Sequence, residues 1–235
     1  MKNYFLNLIE KTHILQNIYL KNKFFFKKKT YSMHGEDLVV EKYFKEIDNG
    51  FYVDLGCYHP VQHNNTILLY QKGWRGINID INEFSIKLFN FCRPDDLNLN
   101  LAVSDKNGEI DFYYQKKLSL LSTVKKFRSD LTFQGKINKK KISSQTLTKV
   151  LDDSKYKDKQ IDFLDLDIEG ADLDVLKSLD FSRYSPKLIS VEILPKNMDV
   201  NNTDIQKSDT YNFLKRKNYQ KIWSDVFSHI FVRNL

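Results

Sequence analysis

An α/β fold built on a mostly parallel sheet is what this sequence predicts. Three observations carry that expectation. From residue 31 onward short apolar runs alternate with helix-like segments, several of the runs end on an acid, and the chain closes with two strand-like runs near enough to pair.

The elements follow in order. Residues 4–20 space Phe5, Leu8, Ile9, Leu15, Ile18 and Tyr19 as one side of an amphipathic helix, followed by the basic run KNKFFFKKK. This extension, residues 1–30, has three candidate docking partners: the body of the protein, a second subunit in a homo-oligomer, or a membrane surface. The first is the simplest. The main domain is expected over residues 31–235, with strands in GFYVDLG, GINIDI, LNLNLAVS, IDFLDLDI and KLISVEIL. Helices are expected at 65–72, 84–91, 143–152 and 171–178, and again near 208–217. The tail YQKIWSDVFSHIFVRN reads as an antiparallel edge hairpin. GEIDFYYQ adds a short strand, and residues 118–141 form the longest candidate loop, where Tyr113, Tyr114, Ser122 and Thr123 are placed to meet a substrate.

Composition narrows the class. A chain of 235 residues with 41% apolar and 29% charged residues has the makeup of one folded, water-facing domain. It contains no apolar run of membrane-spanning length and no cleavable leader pattern, so a cytoplasmic location is expected. Two cysteines, Cys57 and Cys92, are too few for a disulfide framework or a cysteine zinc site. The net charge of +7 suits phosphate-bearing partners, yet apart from 27–29 and 139–141 the lysines are dispersed, which favours a solvated surface over a nucleic-acid site.

The first strand ends on Asp54, and Gly56 follows where the chain must turn. Asp80 ends the second strand, 24 residues after Gly56. A glycine turn with a distal acid suits an adenosine ligand, the acid accepting from the ribose diol. Without a full G-x-G-x-x-G the backbone amides that hold a pyrophosphate are missing, which points to a phosphate-free nucleoside such as S-adenosylmethionine. Asp54 would lie near its ammonium group; the plainer reading is an acid capping a turn. In IDFLDLDIEG the acids Asp165, Asp167 and Glu169 share one parity opposite Leu164, Leu166 and Ile168, so they point to one side of a strand that should be covered on both. Unpaired buried carboxylates are costly, so these need solvent, a proton or a partner.

On the elements YSMHGED, GFYVDLGCYHP, NNTILLYQKGWRGINIDIN, FNFCRPDDLNLNLAVSDKNG and IDFLDLDIEGADLDVLKSLDF, the chain resembles the FkbM-type S-adenosylmethionine-dependent methyltransferases over residues 31–194. Met33 and Tyr58 depart from that pattern, where glutamine and histidine are common. The resemblance implies a Rossmann-like seven-stranded sheet and O-methylation of a sugar hydroxyl, on a nucleotide-linked sugar or a surface polysaccharide. It also implies cofactor contacts at Ser32, Gly35, Glu36, Asp54, Gly56, Asn65, Thr66, Asp80, Ile81, Ser104, Asp105 and Asp165. Asn65 and Thr66 would open a helix whose amides receive a carboxylate, and Ser104 and Asp105 would border the adenine.

The acceptor's proton needs somewhere to go, and Asp167 and Glu169 are the candidate orienting and deprotonating groups, with Glu192 converging from the next strand and His59 as a competing base. Mg²⁺ or Mn²⁺ would find oxygen ligands here, but the Gly170 turn competes for two of the acids, so a required metal is not favoured. His59 and His63, four apart in a loop, make a poor zinc pair. Two rival readings are an RNA methyltransferase, from the basic charge, and a non-catalytic adaptor that keeps the sheet.

Overall fold

The computed structural model describes residues 2–23, 26–114, 136–168, 170–193 and 205–234. Seven strands form one sheet: β1 (Phe51–Leu55), β2 (Arg75–Asp80), β3 (Leu97–Asn100), β7 (Phe163–Leu166), β8 (Leu188–Glu192), β9 (Tyr219–Ser224) and β10 (Ser228–Arg233). Their spatial order is β3-β2-β1-β7-β8-β10-β9. All neighbours are parallel up to β8, and β10 then runs antiparallel to both β8 and β9. The order reverses at β1, and in open parallel sheets that switch point opens a crevice beyond the carboxyl ends of the strands.

The period-two alternation of β1 sorts its side chains to two cores. Phe51, Val53 and Leu55 join Ile77, Ile79, Leu164 and Leu166 on one face, packed under helices α5 (Leu147–Asp152), α6 (Asp172–Ser178) and α7 (Asp209–Arg216). Tyr52 and Phe163 face the other way with Leu188, Ile230 and Trp74, under α2 (Glu36–Tyr43) and α3 (Ile67–Gln71). Helix α4 (Glu83–Cys92) packs on β2 and β3, capped by the Asn82 side chain, which accepts from Phe84 N. Both faces are covered, which is why the strands read as near-continuous apolar runs.

Three expected elements differ. The run LNLNLAVS breaks after Asn100: β3 stays in the main sheet, while β4 (Ala102–Val103) leaves to pair with β6 (Asn138–Gln145). The helix expected from 143 begins at Leu147, because residues 143–145 belong to β6 and Thr146 caps the helix by accepting from Lys149 N. Strand β5 (Gly108–Tyr114) pairs antiparallel with β6 in this second, three-stranded sheet, so residues 138–141 of the expected loop are strand. Lysines at 139–141 alternate with nothing apolar, which hid the strand; its partners Glu109 and Asp111 neutralise Lys141 and Lys139 across the ladder. Ser122 and Thr123 lie outside the described residues.

At the N-terminus α1 (Lys2–Leu15) passes into a π-helical turn, Gln16–Lys21. One side meets the body of the molecule: Ile18 is fully buried, Glu10 forms an ion pair with Lys87 on α4, and Tyr19 meets Phe91 edge to face at 6.1 Å between ring centroids.

Candidate active site

In-register pairing lines up Asn98, Asn78, Asp54, Asp165 and Ser190, a polar row running across β3, β2, β1, β7 and β8 on the face covered by α2 and α3. Asp165 of β7 is therefore part of a belt crossing the sheet one step before its carboxyl edge.

The belt has a buried cation beneath it. Arg93, just past α4, is 1% exposed. It donates to Asn64 Oδ1 at 2.7 Å, to Thr66 Oγ1 at 2.8 Å and to the Pro60 carbonyl at 2.9 Å. Thr66 in turn donates to Asp54 Oδ2 at 2.7 Å, and Asn64 Nδ2 reaches the same oxygen at 3.3 Å. Burial raises the Asp54 carboxyl while Thr66, Arg93 and Asn64 pull it back, leaving it at about 6. Asp96 completes the network, accepting from Gly76 N at 2.8 Å, from Asn78 Nδ2 at 2.9 Å and from the Tyr52 hydroxyl. Arg93 and Asp96 sit in FCRPDD, where sequence reasoning finds no site, since a lone arginine in a sequence carries no sign of burial.

At the carboxyl edge lies a cleft of about 80 Å³. Glu36, Asn65, Asp165, Asp167 and Glu192, five of the expected site residues, line it together with Met33, His34, His63, Ser190, Phe227 and Ser228. Asp165 is buried and accepts from Asn65 Nδ2 at 3.1 Å. Burial, then the charge of Asp54, pushes its carboxyl well above the ordinary range. Asp167 is exposed to solvent in the cleft yet ringed by protein; that enclosure, then the charges of Asp54 and Glu36, holds it at about 6. Glu36 behaves oppositely: burial favours its neutral form, but the amides of Glu36 and His34 and the hydroxyls of Ser32 and Ser228 win and lower its pKa. His34 places Nδ1 2.8 Å from Asp225 of the β9–β10 turn. Glu169 lies outside the described residues.

The β1 and β2 tips meet beside the cleft. Asp80 accepts from Tyr58 N at 2.9 Å and Asn82 N at 2.7 Å, one amide per carboxylate oxygen. Burial raises it to about 6 against those amides. Tyr58 takes the left-handed conformation, φ 48°, to aim its amide there. Ile81 follows, half-buried. Gly56 has φ 76°, and a Cβ on it would stand 1.9 Å from the Asp167 carbonyl oxygen. The glycine is thus demanded by the abutting end of β7, a reason that adds to the expected need for ligand approach.

Other expected residues sit elsewhere or are engaged. His59 is 1% exposed: Nδ1 accepts from Val61 N at 3.0 Å and Gln62 N at 3.1 Å, while Nε2 lies 2.8 Å from Asn17 Oδ1 in the N-terminal turn. Burial, with Arg93 and Lys28 nearby, drops its pKa to about 3. Its ring nitrogens are committed to holding the chain, and it is not among the described residues lining the cleft. Thr66 N donates to Asn64 Oδ1 at 3.1 Å, so that amide is already taken, and α3 is only five residues long. Ser32 donates to Asp37 Oδ1 at 2.8 Å and accepts from Gly35 N at 2.9 Å, building the turn into α2, where Gly35 has φ 93°. Ser104 is tied to the Lys106 carbonyl at 2.9 Å in the β4–β5 turn and Asp105 is exposed; neither is among the described residues of the cleft. No group of three or more His, Cys, Asp or Glu side chains among the described residues is arranged to hold a metal ion.

Comparison with known proteins places this geometry. No curated protein sequence matches the chain. Among solved structures, a TehB-like SAM-dependent methyltransferase from Corynebacterium glutamicum superposes over 100% of both chains with a TM-score of 0.42 and 9% identity, a loose likeness. The family model described as the methyltransferase FkbM domain matches residues 54–221, a span that begins at Asp54 and takes in Asp80, the acids of β7 and Glu192. The chain belongs to the FkbM methyltransferase family.

Proposed function

We propose that this protein is an S-adenosylmethionine-dependent O-methyltransferase acting on a sugar hydroxyl, of a nucleotide-linked sugar or a surface polysaccharide. The observation that supports it most is the cleft in which Asp167 stands open beside buried Asp165 at the carboxyl edge of a parallel sheet.

The residues fit the cofactor. Each Asp80 oxygen holds one amide and keeps a lone pair for a vicinal diol. Asp54, at about 6 and so ionised at neutral pH, supplies negative charge toward an ammonium or sulfonium, while Asp165 in the cleft lining keeps its proton until such a cation draws its carboxyl down. When bound, the cofactor supplies an electrophilic methyl group on a positively charged sulfur. What this chain adds is aim and a proton route. The acceptor oxygen must approach in line, and Asp167, at about 6 and open to the cleft, is ionised at neutral pH and basic enough to take the hydroxyl proton. Asn65, Ser190 and Glu192 offer the hydrogen-bonding lining that a polyhydroxylated acceptor requires. Met33, His34 and Glu36 line the cleft at the start of α2, in a turn that Ser32 and Gly35 hold in shape.

The test is incubation with labelled S-adenosylmethionine and a panel of nucleotide-linked sugars, read by mass spectrometry for a gain of one methyl. Absence of calorimetric binding to both S-adenosylmethionine and its demethylated product would overturn the reading.

A further inference from the structure

An amphipathic helix on a protein surface ordinarily turns its apolar side inward. The N-terminal segment does not do so throughout. Leu8 and Leu15, seven residues apart and so on one side of α1, are 52% and 45% exposed. Glu10, on the opposite side, is the residue that meets Lys87 of the body. Beyond α1, Leu20 is 76% and Phe26 67% exposed. With Ile9, also exposed, five large apolar side chains thus face solvent along a segment already anchored by Ile18, Asn17 and Asn22.

Charge identifies the occupant. Between residues 2 and 29 the sequence holds Lys2, Lys11, Lys21, Lys23, Lys27, Lys28 and Lys29 against one acid, Glu10, which Lys87 neutralises. A second copy of this face would bring seven lysines against seven. An anionic lipid surface attracts them and offers an apolar layer for the leucines and Phe26, a combination that a phosphate backbone without an apolar layer does not match.

We propose that residues 8–23 and 26–29 form a peripheral docking surface for anionic lipid bilayers. The apolar side chains sit at the headgroup boundary and the lysines lie against lipid phosphates. Lys28, whose ammonium lies 5.8 Å from the centre of the Tyr31 ring, ends this surface against the body of the protein.

The test is co-sedimentation of the full chain with phosphatidylcholine vesicles and with vesicles containing phosphatidylglycerol. Binding is expected to the anionic vesicles and to weaken as salt rises. The exposed double variant Lys27→Gln, Lys29→Gln should bind about 25-fold more weakly, at about fivefold per charge. Leu15→Ser with Leu20→Ser should weaken binding several-fold at unchanged melting temperature, the outcome that separates lipid insertion from charge attraction alone. The proposal is overturned if the chain ignores anionic vesicles, binds neutral ones equally, binds a short RNA with no effect of the leucine changes, or uses this face to dimerise in sedimentation equilibrium. None of these readouts depends on the methyl-transfer reading.

Discussion

At Asp167 one carboxylate is exposed in the cleft while its surroundings keep it near pH 6. Replacing it by Asn keeps the shape and removes the proton acceptor, so the rate of methyl transfer should fall by about 10²- to 10⁴-fold with the melting temperature preserved. In the unchanged protein the rate should rise through about pH 6 as this carboxyl ionises. Asp172 gives a separate, purely structural titration. It is 2% exposed, accepts from Gly170 N at 3.2 Å, and burial followed by the charge of Asp167 raises it to about 7. Its folded pKa lies above the unfolded value of 3.8, so between those values the folded state holds the extra proton and stability from this group falls as pH rises. Asp172→Asn should therefore gain in melting temperature relative to the parent as pH goes from 4 to 8; a difference constant with pH would contradict the assignment. Arg93 is the residue on which the β1 tip leans. Arg93→Met leaves Asp54, Asn64 and the Pro60 carbonyl without their cation, and should cost about 3–5 kcal/mol in denaturant unfolding.

Among the elements, β1, β2 and β7 were legible because buried parallel strands write themselves as apolar runs, and α4 because its apolar side has helical spacing. Strand β6 was illegible: a solvated, lysine-rich strand stabilised by cross-strand charges leaves no apolar signature, so residues 138–145 read as loop and helix start. The acids of IDFLDLDIEG are visible by parity, but the alignment of Asp165 with Asp54, Asn78 and Ser190 is a property of register, which only strand pairing creates. His59 shows the same limit. A histidine beside a glycine turn has the chemistry of a base, and nothing local reveals that a segment some forty residues earlier will occupy its Nε2. Asn17→Ala should release that contact, speed hydrogen exchange over residues 16–22 and destabilise by about 1–3 kcal/mol, the penalty of an orphaned buried donor.

In the whole molecule, the cleft is assembled from both ends of the domain: Met33 and His34 enter before the first strand, and Phe227 and Ser228 close it from the hairpin that ends the sheet. Because Phe227 projects from a turn rather than from the parallel core, Phe227→Ala should raise KM for the acceptor several-fold while leaving cofactor affinity and melting temperature nearly unchanged, as steady-state kinetics and calorimetry would read. The meeting of Gly56 with the Asp167 carbonyl has the opposite character. A methyl group there collides with backbone, so Gly56→Ala should cost roughly 3 kcal/mol or more. Two strand ends welded in this way leave evolution, or an engineer, little freedom on that side of the crevice. Attempts to retarget the enzyme to new acceptors should begin by grafting hairpins at residues 225–228 and leave the weld as inherited chassis.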